Sequence, residues 1–312
     1  MPLASVIIIH YLHDQLTCRV LECLERHQLT SPAEVIVVDN GSPTPFKMPS
    51  MPRLGSAQIL RLSPPGKGFG GACQSGLESI SAESRHLPAI ILNNDISFED
   101  DLVGGLLASL HDHPLAGLIG PRLVFPDGRF QLSWGDDLTL SSEWREWRRQ
   151  GQMRRGSGAL YEKRVKESSG PRQVDWISGG AFLITPDTVQ AIGGLEAGYF
   201  FYFEDCDWSR RARLAGKEVW FDPRVTVRHA LGAARPKSGN PDALRFYRSR
   251  QLGRLRYYDR FSSWFQFQGI RAAIVMKVLT KWDLDLLAEL CRRGRGRAKT
   301  LPTEWKQSAF NS

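Results

Sequence analysis

Residues 199–216 read YFFYFEDCDWSRRARLAG, so three carboxylates (Glu204, Asp205 and Asp207) fall within four positions, behind five aromatics and ahead of three arginines. Acids placed this way open a helix, where the macrodipole favours negative charge, and Asp207 with Arg211 makes an i, i+4 pair. That explains one or two of the three. It leaves Glu204 and Asp205 behind GYFFYF, surroundings too apolar for an ordinary solvated cap. A carboxylate beside such rings is a fair general base, because partial desolvation raises its proton affinity toward working pH. Successive residues point in different directions, so one of the two is expected to face a cleft.

Asn93 and Asp95 stand two apart at the end of AIILNND and, in extended geometry, point the same way. Their oxygens suit magnesium or manganese, cations that substrate phosphates also hold. Turn chemistry at a strand end explains the same residues without a metal. The lone His229 of VTVRHALG could give an imidazole to such a cation or sit in a core, and spacing alone does not join it to Asp95. GKGFGG matches G-x-G-x-x-G through Gly66, Gly68 and Gly71. It follows a strand and precedes a helix, yet two strands come before it, and Lys67 is not in Walker order. Glycines with Lys67 suit close approach of a phosphate or a base; a plain flexible loop is the other reading.

The elements that must position these groups are legible in the apolar pattern. ASVIIIHY, AEVIVVD, AQILRLS and LPAIILNND are strand-length runs, while QLTCRVLECLERHQ and GGACQSGLESISA read as helices. Alternation of buried strands with helices predicts an α/β fold with a mostly parallel central sheet, helices on both faces. Ligands of such sheets bind beyond the carboxyl ends of the strands. Asp39, the glycine loop and NND all fall there. DDLVGGLLASLHDHP reads as a helix, AGLIGPRLVFPDGRFQLS as a strand pair, VDWISGGAFLITPDTVQAIGG as a strand and a helix opened by Pro186, and KEVWFDPRVTVRHALG as two short strands. The basic stretch 141–172 reads as a long loop or insertion. From about residue 233 come amphipathic helices whose apolar runs are broken by Lys and Arg, none reaching the roughly 18 uninterrupted residues of a spanning helix.

Among 312 residues, 42% apolar and 24% charged is the composition of an ordinary globular chain, long enough for one large domain and an extension. The five cysteines are scattered without a C-x-x-C pair, which argues against a disulfide framework or zinc ribbon and for a reducing cytoplasm. MPLASVIIIHYLHD lacks the features of an export signal. A net charge of +8, concentrated in 143–172 and 292–299, favours anionic partners: nucleotides, nucleic acid or anionic lipid.

Taken in order, SVIIIHY, EVIVVDNGS, GKGFGGACQSG, AIILNND, GPRLVFPDG, VDWISGGAFLI, GGLEAGYFFYFEDCDWSRRARLAGKEVWFDP, VRHALG and YRSRQ resemble the family 2 inverting glycosyltransferases of GT-A fold, in their bacterial rhamnosyltransferase-like branch. The resemblance covers residues 4–255. It implies a Rossmann-like catalytic domain over 1–232 and a C-terminal helical extension over 233–312. It implies that Asp39 accepts the imide N–H of uracil or thymine, with His10 and Tyr11 beside the base and Lys67, Gly68, Gly71 and Gln74 completing the nucleotide pocket. NND stands at the family's D-x-D position, so Asn93 and Asn94 would line the donor and Asp95 with His229 would hold Mg2+ or Mn2+. Asp205, with Glu204 beside it, would take the proton of an acceptor hydroxyl. Tyr247 and Arg250 match a Y-x-x-R-N segment near the diphosphate.

Two residues depart from the pattern: Asn93 replaces the first acid, and Gln251 replaces the Asn. The implied donor is a dTDP- or UDP-sugar, dTDP-L-rhamnose first, and the acceptor a polysaccharide or lipid-linked saccharide. The basic C-terminal helices are expected on an anionic membrane at the inner face of the cell, or in a homodimer contact. An NAD-dependent oxidoreductase built on GKGFGG is the rival enzyme. A nucleic-acid surface is the non-enzymatic rival, and no nucleic-acid partner is expected.

Overall fold

The computed structural model describes residues 1–54, 57–139, 152, 155–195, 198–230, 241–279 and 282–292. Its first half runs β1 (Ala4–His10), α1 (Asp14–His27), β2 (Ala33–Asp39), β3 (Gln58–Arg61), α2 (Gly68–Glu78), β4 (Ala89–Asn93), β5 (Ile96–Ser97), α3 (Leu102–Asp112) and β6 (Ala116–Val124). Then follow β7 (Trp134–Gly135), α4 (Ala159–Glu167), β8 (Arg172–Gln173), β9 (Trp176–Ile177), β10 (Ala181–Ile184), α5 (Pro186–Ala191), α6 (Glu204–Leu214) and β11 (Glu218–His229). Three helices close the described chain: α7 (Pro241–Phe261), α8 (Trp264–Leu279) and α9 (Leu284–Arg292).

One sheet has the order β3-β2-β1-β4-β10-β6-β11-β5, with β8 beside β11. β1 and β2 are buried at every residue, as continuous β-branched runs covered on both faces should be. Side chains alternate: Val6 and Ile8 join α1 and α3 residues in one core, and Ile7 and Ile9 join α2 and α6 residues in the other. β3, β2, β1 and β4 are mutually parallel, and β11 parallels β6. β10 runs antiparallel to both β4 and β6, with Ala181 opposite Leu92. Its beginning therefore lies beside the end of β4.

Three sequence expectations change. The pair expected in 116–133 is one strand, β6, closed on itself only by an isolated bridge from Val124 to Phe130. Within the stretch read as a loop, Ala159–Glu167 is a helix; Arg164 settles it by lying fully buried over the Trp134 ring, 3.7 Å from its centroid. The two short strands expected in 217–232 are one, with a register shift between Asp222 and Thr226. Pro223 sits in that shift, where its missing N–H costs no ladder bond. The α7–α9 helices enclose a third core of Leu252, Leu255, Phe267, Ile270, Ile274, Val278, Leu286 and Leu290. The expected boundary at 232/233, much of the basic stretch 143–172 and the run 293–299 lie outside the described residues.

Candidate active site

The turn into α6 carries the acids. Tyr202 and Phe203 both have positive φ, 77° and 71°. Left-handed backbone costs a side-chain-bearing residue about 1 kcal/mol or more, so something must hold it. Gly253 of α7 does: a Cβ there would come 2.6 Å from the Tyr202 carbonyl oxygen, and Ser249 donates to the Phe201 carbonyl at 3.0 Å. The strained pair swings the chain so that Glu204, Asp205 and Asp207 all enter the first turn of α6.

The three acids have different fates. Asp207 is fully buried and satisfied, accepting from Arg211 Nε at 2.5 Å, Tyr199 at 3.1 Å and Arg260 at 3.1 Å. Asp205 is half-buried. Its Oδ2 accepts from Gly179 N at 3.1 Å and its Oδ1 from Cys206 N at 2.9 Å. Burial pushes its carboxyl above the usual range, and those two N–H groups only partly offset it. Glu204 is buried, no donor among the described residues reaches its Oε2, and burial followed by repulsion from Asp205 pushes it up to about 8.

Asp95 and His229 meet because β5 pairs antiparallel with β11, setting His229 opposite Ile96. His229 Nε2 lies 3.0 Å from Asp95 Oδ1. On the other side of the ring, Nδ1 faces Gln131 Oε1 at 2.7 Å, and the Gln131 amide nitrogen reaches the His229 carbonyl at 3.4 Å. That second contact orients the amide, so Nδ1 donates to Gln131 and Nε2 is the ring nitrogen that faces the Asp95 carboxylate. An imidazole nitrogen beside a carboxylate oxygen is a pair that could hold manganese or magnesium. No group of three or more such ligands occurs among the described residues, so a cation held here would take its remaining ligands from water or substrate.

Gly179 and Gly180 tie the two centres together. Gly179 donates to Asp205, Gly180 packs against the His229 ring with a Cβ position only 3.1 Å from Cε1, and the Gly180 carbonyl accepts from Asn93 N at 2.9 Å. A side chain at Gly180 would crowd the His229 ring, and one at Gly179 would crowd Phe69 at 3.2 Å with Asp205 in contact just beyond.

The strand-end loops on the other side are bound mostly to each other. Asp39, fully buried, accepts from Ser42 N at 2.9 Å, Phe46 N at 3.2 Å and Arg61 Nη1 at 2.7 Å. Asn40 accepts from Lys67 N at 2.9 Å, and a Cβ on Gly68 (φ +72°) would lie 2.6 Å from the Phe200 carbonyl, so the glycine loop abuts the aromatic turn. The exposed Lys67 reaches Ser75 Oγ at 3.0 Å and lies over Gly71. His10 and Asn94 converge on Thr17 of α1, His10 through Nδ1 at 2.6 Å and Asn94 through Nδ2 at 3.3 Å. Gln74 joins α2 to Leu195 N at 2.8 Å. Tyr11 and Asn93 are half-buried at the ends of β1 and β4. On α7, Tyr247 packs against the helical core, and the Arg250 guanidinium lies 5.8 Å from the centre of the Tyr202 ring.

Gln131, Arg61 and the Gly179–Gly180 pair escaped the sequence reading. Ser-Gly-Gly before an apolar run was the visible signal for the glycines; Gln131 and Arg61 become meaningful only through long-range contacts.

Over 255 residues, 75% of this chain and 78% of its relative, the sequence is 25% identical to N-acetylglucosaminyl-diphospho-decaprenol L-rhamnosyltransferase of Mycobacterium tuberculosis. Among solved structures, GalNAc-T7 with UDP, GalNAc and Mn2+ superposes with a TM-score of 0.51 at 16% identity, covering 82% of this chain and 50% of its own. The mannosyltransferase PcManGT of Pyrobaculum calidifontis, with GDP-Man and Mn2+, gives 0.50 at 16% identity, covering 93% and 74%. The architecture is thus GT-A. The glycosyl transferase family 2 model matches residues 5–168, so the chain belongs to that family and is a glycosyltransferase.

Proposed function

We propose that this enzyme moves L-rhamnose from dTDP-L-rhamnose to a lipid-linked saccharide by in-line displacement with inversion. Asp205 accepts the proton of the acceptor hydroxyl while that oxygen bonds to the anomeric carbon and the bond to the departing dTDP breaks. The observation that carries this reading is the shared Gly179–Gly180 support, which sets the Asp205 carboxylate and the His229 ring on either side of one dipeptide. Asp95 and His229 would hold Mg2+ or Mn2+, whose charge offsets that of the leaving diphosphate. Asp39 shapes the base-binding loop, and a base imide would share its carboxylate with Arg61. Residues 1–232 carry the chemistry, while α7 braces the catalytic turn and brings Arg250 toward the donor.

Support for the sugar and the lipid-linked acceptor comes from the mycobacterial relative's name. The oxidoreductase alternative draws none, and GKGFGG is occupied in packing against Asn40 and Phe200. A donor panel with Mn2+ or Mg2+ tests the reading: dTDP-L-rhamnose should be hydrolysed fastest without acceptor. Equal rates across donors would remove the sugar assignment, and no hydrolysis of any donor would remove the transfer chemistry.

A further inference from the structure

α8 is apolar on two faces. Phe267, Ile270, Ile274 and Val278 are fully buried against α7 and α9. On the outer side, Phe265, Ala272, Ala273, Met276 and Leu279 are exposed, Phe265 at 80% and Met276 at 65%. These residues recur at helical spacing along a stripe of about 20 Å at 1.5 Å per residue. Trp264 stands at its beginning, and Trp282 (84% exposed) and Leu284 continue past its end. Six large apolar side chains on one edge of a small helical unit exceed what scattered surface hydrophobes explain.

The stripe is bordered by cations. Lys277 is exposed beside Met276, and Arg271 holds the Leu290 carbonyl at 3.1 Å on the inner flank. Tryptophans at both ends of an apolar stripe with lysine and arginine around it match the interface of an anionic bilayer. A second copy of this chain would bring two such basic borders together. No described helix is long and apolar enough to cross a membrane, so the fit is to a surface.

We infer that the outer face of α8, with Trp264, Trp282 and Leu284, docks on an anionic lipid surface. The inference stands on this face alone and does not depend on which sugar is transferred. Because α7 grips the Tyr202–Phe203 turn, docking fixes the catalytic turn relative to the lipid plane.

Flotation of the full chain with vesicles of phosphatidylglycerol and phosphatidylcholine, against phosphatidylcholine alone, is the test. The wild type should float with the anionic vesicles, less with neutral ones, and less again as salt is raised. Phe265→Ser/Met276→Ser/Trp282→Ser should lower the bound fraction by about tenfold or more and leave donor hydrolysis and the melting temperature unchanged. A wild type that stays at the bottom of the gradient overturns the inference, as does a triple variant that floats equally well. Sedimentation showing a wild-type dimer that the triple variant dissociates, without flotation of either, assigns the face to a second copy and overturns it too. Donor hydrolysis is read separately, so failure of docking and failure of the transfer chemistry are told apart.

Discussion

Asp39, buried, and the Glu204–Asp205 pair, one buried and one half-buried, are acids on the same edge of the same sheet, and the fold treats them oppositely. Around Asp39 it supplies two backbone N–H groups and a guanidinium. Around Asp205 it supplies the Gly179 and Cys206 N–H groups but no cation, and Glu204 Oε2 is left with no donor among the described residues. A carboxylate given donors is a structural joint that shapes a loop. One buried without a cation is left with raised proton affinity, which suits proton transfer. Backbone strain follows the same division: the left-handed pair at Tyr202–Phe203 directly precedes the under-satisfied acids.

Substitution at the two acids should separate these roles. Asp205→Asn keeps the shape and removes the base, so turnover should fall by about 10³-fold while nucleotide affinity by calorimetry and the melting temperature hold. Retained turnover would take the base role away from Asp205. Asp39→Asn turns an NH2 group toward the Ser42 or Phe46 N–H and uncouples Arg61. Urea unfolding should register a loss of about 2 kcal/mol, and dTDP affinity should fall with it, because the base imide shares this carboxylate with Arg61. If Asp39→Asn spared stability, the carboxylate would be no structural joint, and the contrast would collapse.

His229 lies between the two extremes, with one ring nitrogen satisfied and the other aimed at Asp95. Gln131→Leu removes the acceptor that fixes its tautomer. Manganese affinity, titrated with dTDP present, should weaken by about 10- to 30-fold, the usual cost of losing a partner behind a metal-binding imidazole. With a single protein carboxylate in the pair, the bare protein should bind either cation weakly and nucleotide should tighten it. Tight binding without nucleotide would contradict this.

What the sequence revealed and what it hid divide along physical lines. β1, β2 and β4 were readable because strands buried on both faces must be unbroken apolar runs. Asp207–Arg211 was readable because an i, i+4 pair is local. α4 was hidden: its burial hangs on Arg164 lying over Trp134, thirty positions earlier, and a basic segment gives no apolar periodicity. Gln131 and Arg61 were hidden for the same reason, since each matters through a partner that only the sheet topology brings close. The site's outline could be read from strand ends, but the division of labour among its acids depends on which donors arrive from elsewhere.

Glu204 offers the subtlest check of that division, through pH and stability. Its carboxyl rises from an ordinary value of 4.5 to about 8, chiefly by burial and then by the charges of Asp205 and Asp207; burial, and after it the Glu204 charge, also pushes up the Cys73 thiol of α2. A folded-state value above the unfolded one means the native chain binds more protons between the two. The stabilisation is complete below about pH 4.5 and is lost as pH climbs through about 8. Thermal unfolding followed across that window should show the wild type losing stability toward alkaline pH. Glu204→Gln has the same shape and no proton to lose, so its curve should be flatter and lie above the wild type at pH 8. Asp39→Asn should leave the slope unaltered. Parallel curves for the wild type and Glu204→Gln would mean that Glu204 is solvated or has found a donor, and the distinction between satisfied and unsatisfied acids would then rest on Asp205 alone.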